Sequence, residues 1–447
     1  MQNEGEQSVM DNSQLEQAAE IALHQAKSLG ATAAEVGVSQ SSGLSLTVRK
    51  GDVETLEYNN DKGLGITVYF GQTKASSSTS DFRPEAIADA VEAACGIAKH
   101  TQEDEFAGLA DPEQMATEFP DLSLYHPWDL DADKAIDLAI ECEQAGFDVD
   151  PQITNSEGAG VSSHQGGRVY ANSHGFVGST KSSQHSLSCT LIADDDNGMQ
   201  RDYWYSYTRD AADLESATSV GQRAARNTIR RLNARTVKTG NYPVIFAAEI
   251  APSLFGNLIS AIRGGALYRK SSFLLDHLGK KIFPDFIHIH EQPYLLKAMG
   301  SASFDGDGIS TVTRDIVQDG VLQGYVLDSY SARKLKMTTT ANAGGVHNLT
   351  VDSGELDFAN MLQAMGTGVL VTETMGMGVN IITGDYSQGA AGFWVENGVI
   401  QYPIDEFTIA SNLREMFLGI QAVGTDVEKR GNTRTGSVWI DQMTIAT

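Results

Sequence analysis

Cysteine is scarce in this chain: only Cys95, Cys142 and Cys189 are present, with no C-x-x-C among them. Such a set offers no disulfide framework and no cysteine-rich metal knuckle. Cys95 and Cys142, set among helical apolar residues, read as small buried hydrophobes in a reducing cytoplasm. Basic residues are also in deficit, 32 against 58 acidic, for a formal net charge of −26. A chain so acidic repels nucleic acid and anionic lipid unless a local basic patch intervenes. No apolar run reaches the ~18 residues that span a bilayer. The segment Met1, Gln2, Asn3, Glu4 has neither the basic nor the apolar stretch of a secretory signal. These absences together predict a soluble, cytoplasmic protein, and 447 residues predict two or three domains.

What is present is patterned. A leader before Ser13 reads as disordered, and Leu15, Ala18, Ala19, Ala22 and Leu23 then recur at helical spacing. Alternating runs follow at 35–39, 44–48, 53–58 and 65–69, punctuated by Gly43, Gly51 and Gly71, as in an antiparallel meander. A helix over 84–100 starts on Pro84. An acidic, proline-bearing connector covers 101–130. The pattern returns as a helix over 133–146, strands over 152–208 and a helix over 211–232. The turn at 194–198 reads as a hairpin, not a calcium loop. A boundary at 238–243 precedes a glycine-rich, strand-rich remainder with helices over 252–262, 357–365 and 413–423. Three units result: 13–130, 131–238 and 239–447. The class is α+β: a helix, meander and helix unit, apparently duplicated, then a mostly antiparallel β domain.

Chemistry-bearing residues give several weak leads. H-E-x-x-H and the P-loop pattern are missing. His288 and His290 fall on one side of a strand after Pro284 and read as surface histidines. His164, His174 and His185 lie along one meander and are candidates for convergence. Ser331 and Lys334 have S-x-x-K spacing without its companion motifs. Arg333 and Lys334 read instead as contacts to a carboxylate, on a peptide end or a neighbouring subunit. Arg223, Arg226, Arg230, Arg231 and Arg235 fall largely on one side of a helix, a solvated or ion-paired face.

The run Gly384-Asp385-Tyr386-Ser387-Gln388-Gly389-Ala390-Ala391-Gly392 leads into an apolar strand, Phe393-Trp394-Val395, and an Asn397-Gly398 hairpin turn. Together with Asp61-Lys62-Gly63-Leu64-Gly65, Ile153-Thr154-Asn155-Ser156-Glu157-Gly158, Tyr268-Arg269-Lys270-Ser271-Ser272 and Ser329-Tyr330-Ser331-Ala332-Arg333, it resembles the TldD/PmbA family. The likeness spans nearly the whole chain and falls on the PmbA (TldE) side. In that family the TldD-type member carries an H-E-x-x-x-H helix that binds metal and activates water. Here the matching positions are Gly256, Asn257 and Ala261, which supply no imidazole and no general base.

The resemblance implies a heteromeric metalloprotease that cleaves unfolded peptides in an enclosed chamber, with zinc on a TldD-like partner and no cofactor on this chain. It also implies a link to peptide-antibiotic maturation and antitoxin breakdown. Tyr268, Arg269, Lys270, Arg333, Gly384, Asp385, Tyr386, Gly389 and Gly392 are then candidate cleft or interface residues, and no residue is assigned as catalytic. A glycine-lined sheet edge would accept an extended peptide by main-chain pairing. Two rival readings stand beside this one. One is a peptide-binding or regulatory homodimer without catalysis. The other is autonomous hydrolysis through the histidines or the Ser331 and Lys334 pair.

Overall fold

The computed structural model describes residues 12–196 and 198–447. Apart from Asn12, the leader expected before Ser13 lies outside them, as does Asn197 of the expected turn. Helix α1 (Asn12–Ser28) buries Leu15, Ala18, Ala19, Ala22 and Ala26, the stripe its spacing dictates. Strands β1 (Ala33–Arg49), β2 (Asp52–Phe70) and β3 (Thr73–Thr79) form a meander closed by α2 (Pro84–Ala98). After the connector come α3 (Ala132–Phe147), β4 (Ile153–Asn172), β5 (Val177–Asp195), β6 (Gly198–Thr208) and α4 (Ala217–Ile229).

The strands are fewer and longer than the alternating runs suggest, with 17 residues in β1, 19 in β2 and 20 in β4. Gly51 and Gly71 do turn the chain, at φ +80° and +63°. Gly43 lies inside β1 instead. His164 crosses there on β4, and a Cβ on residue 43 would stand 2.1 Å from its Nδ1. The expected helix over 211–232 begins only at Ala217. Asp210 caps a single 3-10 turn first, and Ser216 then caps α4 through the Ser219 N–H.

The two meanders join edge to edge. β1 pairs antiparallel with β4 from Glu35 opposite Asn172 to Val48 opposite Ala159, giving one sheet in the order β3-β2-β1-β4-β5-β6. Side-chain alternation then sorts its faces. Val36, Val38, Val169 and Ala171 are buried under α1 and α2 at one end of the sheet. Leu44, Leu46, Val48 and Val161 are buried under α3 and α4 at the other. The opposite face is hydroxyl-rich: Ser45 reaches His164 at 3.2 Å, and Ser162 reaches Ser186 at 2.7 Å.

The C-terminal part starts with β7 (Gly240–Phe246), α5 (Pro252–Ile262) and α6 (Gly264–Tyr268). Then follow β8 (Ile289–Glu291), β9 (Arg314–Gln318), β10 (Val321–Leu322), α7 (Ser329–Leu335), β11 (Leu349–Val351) and α8 (Phe358–Met365). The chain ends in β12 (Gly368–Met375), β13 (Asp385–Glu396), β14 (Val399–Asn412), α9 (Leu413–Leu418), β15 (Ile420–Val423), β16 (Thr433–Arg434) and β17 (Val438–Ala446). The helix expected over 413–423 therefore stops at Leu418, because 420–423 pair with β17.

Two sheets result, β10-β9-β8-β11-β16 and β14-β13-β12-β7-β17-β15. The second curls round until β14 also pairs with β17, Thr408 to Ala446 through Ala410 to Thr444, which closes five strands into a ring. Val244 and Phe246 of β7 face the large core with α5, while Ile245 faces α8. Burial on both sides explains the unbroken apolar run at 244–248. The class is mixed α+β with mostly antiparallel sheets; only β7 with β12 and β11 with β16 run parallel among the described strand pairs.

Candidate functional site

The helix matched to the metal-binding element is α5. Pro252 occupies its first turn, and Leu254, Phe255, Leu258, Ala261 and Ile262 are buried in the core. Gly256 is exposed, with nothing within 4 Å of where a Cβ would stand. Asn257 is half-buried. Ala261 is fully buried, and its carbonyl accepts a 2.6 Å hydrogen bond from Ser272 Oγ. A hydrogen, a carboxamide and a buried methyl do not fit a zinc ion. Among the described residues no group of three His, Cys, Asp or Glu side chains could hold a metal.

The expected cleft residues scatter into different settings. Tyr268 ends α6 and packs edge-on against Tyr330, ring centroids 6.0 Å apart. Arg269 and Lys270 are exposed, and Arg269 Nη1 donates to Tyr268 Oη at 3.1 Å. Arg333 is not available to a peptide end. Its guanidinium donates to the carbonyls of Phe106, Gly108 and Leu109, strapping the connector to α7. Lys334 does contact a carboxylate, but an internal one, Asp104 at 3.4 Å.

The glycine run also differs from its expected role. β13 lies between β12 and β14 inside a closed ring, so it presents no free edge for a peptide to join. Asn397 and Gly398 do form the anticipated tight turn, with φ +53° and +73°. Gly384 sits at φ +86° and Asp385 accepts from Thr383 Oγ1 at 2.7 Å. Tyr386 is buried. Gly389 is in ordinary contact, its would-be Cβ 3.5 Å from that of Met375, whereas a Cβ on Gly392 would stand 2.0 Å from the Leu370 carbonyl oxygen. Gly392 is thus required by strand packing.

The remaining motifs do not assemble. His164 and Ser163 sit opposite Gln184 and His185 on paired strands, so His164 and His185 project to opposite faces. His185 is fully buried between Ser163 Oγ and the His126 carbonyl, and burial lowers its pKa. His174 belongs to the turn before β5. His288 immediately precedes β8 and His290 lies within it, inside its sheet, and each meets its own aspartate, Asp319 at 3.2 Å and Asp352 at 3.6 Å. Ser331 is buried and bonded to Asp328, while Lys334 pairs with Asp104.

The structure instead assembles a cavity of about 490 Å³ that the sequence did not signal. Arg168, Thr180 and Ser182 on the hydroxyl-rich sheet face form one wall, and loops 299–307 and 343–347 form the other. Asp305 anchors these loops, accepting the N–H groups of Asp307, Ile309 and Ala343 at 3.0, 3.0 and 2.9 Å. Burial, reinforced by the nearby Asp307, nonetheless pushes its carboxyl up to about 7. Arg209 is buried with its Nη atoms on the carbonyls of Ser183 and Met299, and no carboxylate pairs with it among the described residues. The wall therefore combines a buried cation with a carboxyl able to hold or release a proton near neutrality. Such a site can grip the polar backbone of a ligand.

Family profiles cover most of the chain: PmbA/TldA metallopeptidase domain 1 matches residues 34–98, the central domain 125–232 and the C-terminal domain 239–447. Metalloprotease PmbA of Escherichia coli O157:H7 is 50% identical over 434 residues, covering 97% of this chain and 96% of that protein. This chain belongs to the PmbA/TldD metallopeptidase family. Its place is on the PmbA branch, since the Metalloprotease PmbA homolog of Haemophilus influenzae is also 48% identical, over 97% of this chain and 96% of its own.

The PmbA/TldD fold extends through solved structures. A proposed modulator of a DNA gyrase from Bacteroides thetaiotaomicron superposes with a TM-score of 0.92 at 29% identity, covering 96% of this chain and 98% of its own. TldE from Thermococcus kodakarensis gives 0.80 at 19%, covering 96% and 100%, a likeness of fold alone. Among the described residues no helix is long and apolar enough to cross a membrane.

Proposed function

We propose that this chain is the PmbA/TldE-type, metal-free subunit of a cytoplasmic metallopeptidase that cleaves unfolded peptides, with the zinc site on a TldD-like partner. The observation that carries this reading is α5. Where a TldD-type helix presents two histidines and a glutamate, this helix presents Gly256 to solvent, an amide at Asn257, and buries Ala261. The cavity around Asp305 supplies the complementary role. Its hydroxyls, loop backbone and Arg209 offer hydrogen bonds to a peptide main chain without selecting side chains. Asp305 donates a hydrogen bond while protonated and accepts when ionised, within the pH range of a cell interior.

The test compares cleavage of an unfolded peptide by this chain, by a partner bearing H-E-x-x-x-H, and by the mixture, with bound zinc quantified on each. Cleavage by the mixture alone, with zinc on the partner, is the expected result. Metal-dependent cleavage by this chain alone would overturn the reading. Peptide capture with no cleavage even in the mixture would replace it with a binding protein.

A further inference from the structure

A second cleft opens between α4 with β6 and the segment 247–250 after β7 together with β12, as two adjoining cavities of about 260 and 770 Å³. Both are walled by Trp204, Asn227, Arg230, Glu249 and Thr372. It lies outside the Asp305 cavity and shares no lining residue with it. The arginine-rich helix lines it, and the ion-paired face expected from sequence accounts for only part of that helix.

Three arginines of the cleft are occupied. Arg231 bonds Glu373 at 2.6 Å and lies 3.5 Å from Asp202, tying the central unit to β12. Arg223 pairs with Glu249 at 3.5 Å and lies over Trp204, its guanidinium carbon 3.4 Å from the ring centroid. Arg430 pairs with Glu428 and also lies over Trp204, 4.0 Å from the ring centroid. Arg226 and Arg230 differ. Neither has a carboxylate within ion-pair distance or a side-chain hydrogen bond among the described residues. Arg230 lies over the Phe393 ring, its guanidinium carbon 5.1 Å from the centroid. They sit four residues apart, on one side of the helix, and both line the larger cavity. Arg230 is open to the cavity yet surrounded by protein, and the desolvation lowers its pKa. Asp202 and Glu249 attract Arg230 only from beyond ion-pair distance, and the repulsion of Arg231 and Arg223 opposes them. Glu249, Glu373 and Glu428 are engaged by the other arginines, and Asp426 by the Ser437 backbone and hydroxyl.

We infer that Arg226 and Arg230 form a binding site for one compact oxyanion, a carboxylate or a phosphate group, seated in this cleft. Guanidinium forks match both groups in geometry, and both arginines are exposed to the cavity. The surrounding charge of −26 opposes an extended polyanion, so a single group inside a cavity fits where a nucleic-acid strand does not. This inference does not depend on the peptidase reading. Cations at the C-terminal end of α4 also favour the helix dipole, so anion binding, and not stability, separates a ligand site from a purely structural role.

Calorimetric titration of the full chain in low-salt buffer tests the site, with three probes: inorganic phosphate, a short peptide with a free C-terminal carboxylate, and the same peptide amidated. One saturable site is expected, weakened by added salt and by at least about tenfold in the double variant Arg226→Ala, Arg230→Ala. Binding in the variant Arg201→Ala, which removes an exposed arginine paired with Glu157, is expected to be unchanged. Preference for the free-acid over the amidated peptide identifies carboxylate as the ligand; saturation by phosphate alone identifies phosphate. The double variant is expected to keep the parent's fold and to melt within a few degrees of it, a loss the helix dipole accounts for. Absence of saturable binding for every probe, or equal binding by the double variant, would each overturn the assignment.

Discussion

Asp305 gives the sharpest physical prediction. Its carboxyl is 3% exposed and rises from an ordinary 3.8 to about 7, with burial the leading cause and Asp307 adding to it. The folded chain therefore holds a proton there that the unfolded chain has already released at intermediate pH. Stability from this group is complete below the unfolded value and declines as pH rises toward the folded one. Each pH unit in that window is worth about 1.4 kcal/mol, so the three-unit shift removes about 4 kcal/mol in total. Asp305→Asn has no proton to lose and should remove this slope. It also loses one acceptor to the Ala343 N–H, at a fixed cost of about 1–2 kcal/mol. Urea unfolding of both proteins from about pH 5 to about pH 7.5 should show the parent losing about 3 kcal/mol more than the variant. A stability difference that stays constant across this range would refute the burial argument. A difference that grows in the parent's favour would reverse its sign.

Three further outcomes follow from the packing. Gly392→Ala should destabilise the ring by about 2–3 kcal/mol, because its Cβ meets the Leu370 carbonyl, while Gly389→Ala should change stability by less than about 1 kcal/mol; denaturant melts of the two check this. Arg333→Ala releases three carbonyls of the connector, so limited proteolysis should cut within 101–130 at least several-fold faster than in the parent. All three thiols are buried, that of Cys95 pushed up by burial and that of Cys189 by its hydrogen bond to Cys142 and by burial. A thiol reagent should therefore modify almost none of them in the native protein and all three in denaturant.

Local chemistry was legible where one residue acts on its own neighbours. Pro84 and Pro252 mark helix starts, Asp357 caps α8 through the Asn360 N–H, and Asn397-Gly398 turns a hairpin, each through backbone constraints of a few residues. Alternation likewise gave the strands, because one face of the first sheet lies under helices and the other is polar. It could not give strand length or partnership. Gly43 reads as a break until His164 is seen crossing it, and two apparent meanders become one sheet only through pairing of β1 with β4.

The candidate site divides in the same way. That α5 lacks metal ligands is a property of residue identity, and Gly256, Asn257 and Ala261 state it without coordinates. That Arg333 and Lys334 are spent on the connector, and that β13 has no free edge, follows from partners far away in sequence. The Asp305 cavity draws on chain segments more than a hundred residues apart, and the pKa of Asp305 arises from burial, which no local pattern encodes. Among the arginines of one helix, sequence supplied the charge and the shared face. Only the fold decided which of them met carboxylates and left Arg226 and Arg230 without one, because ion pairing depends on what lies opposite in space.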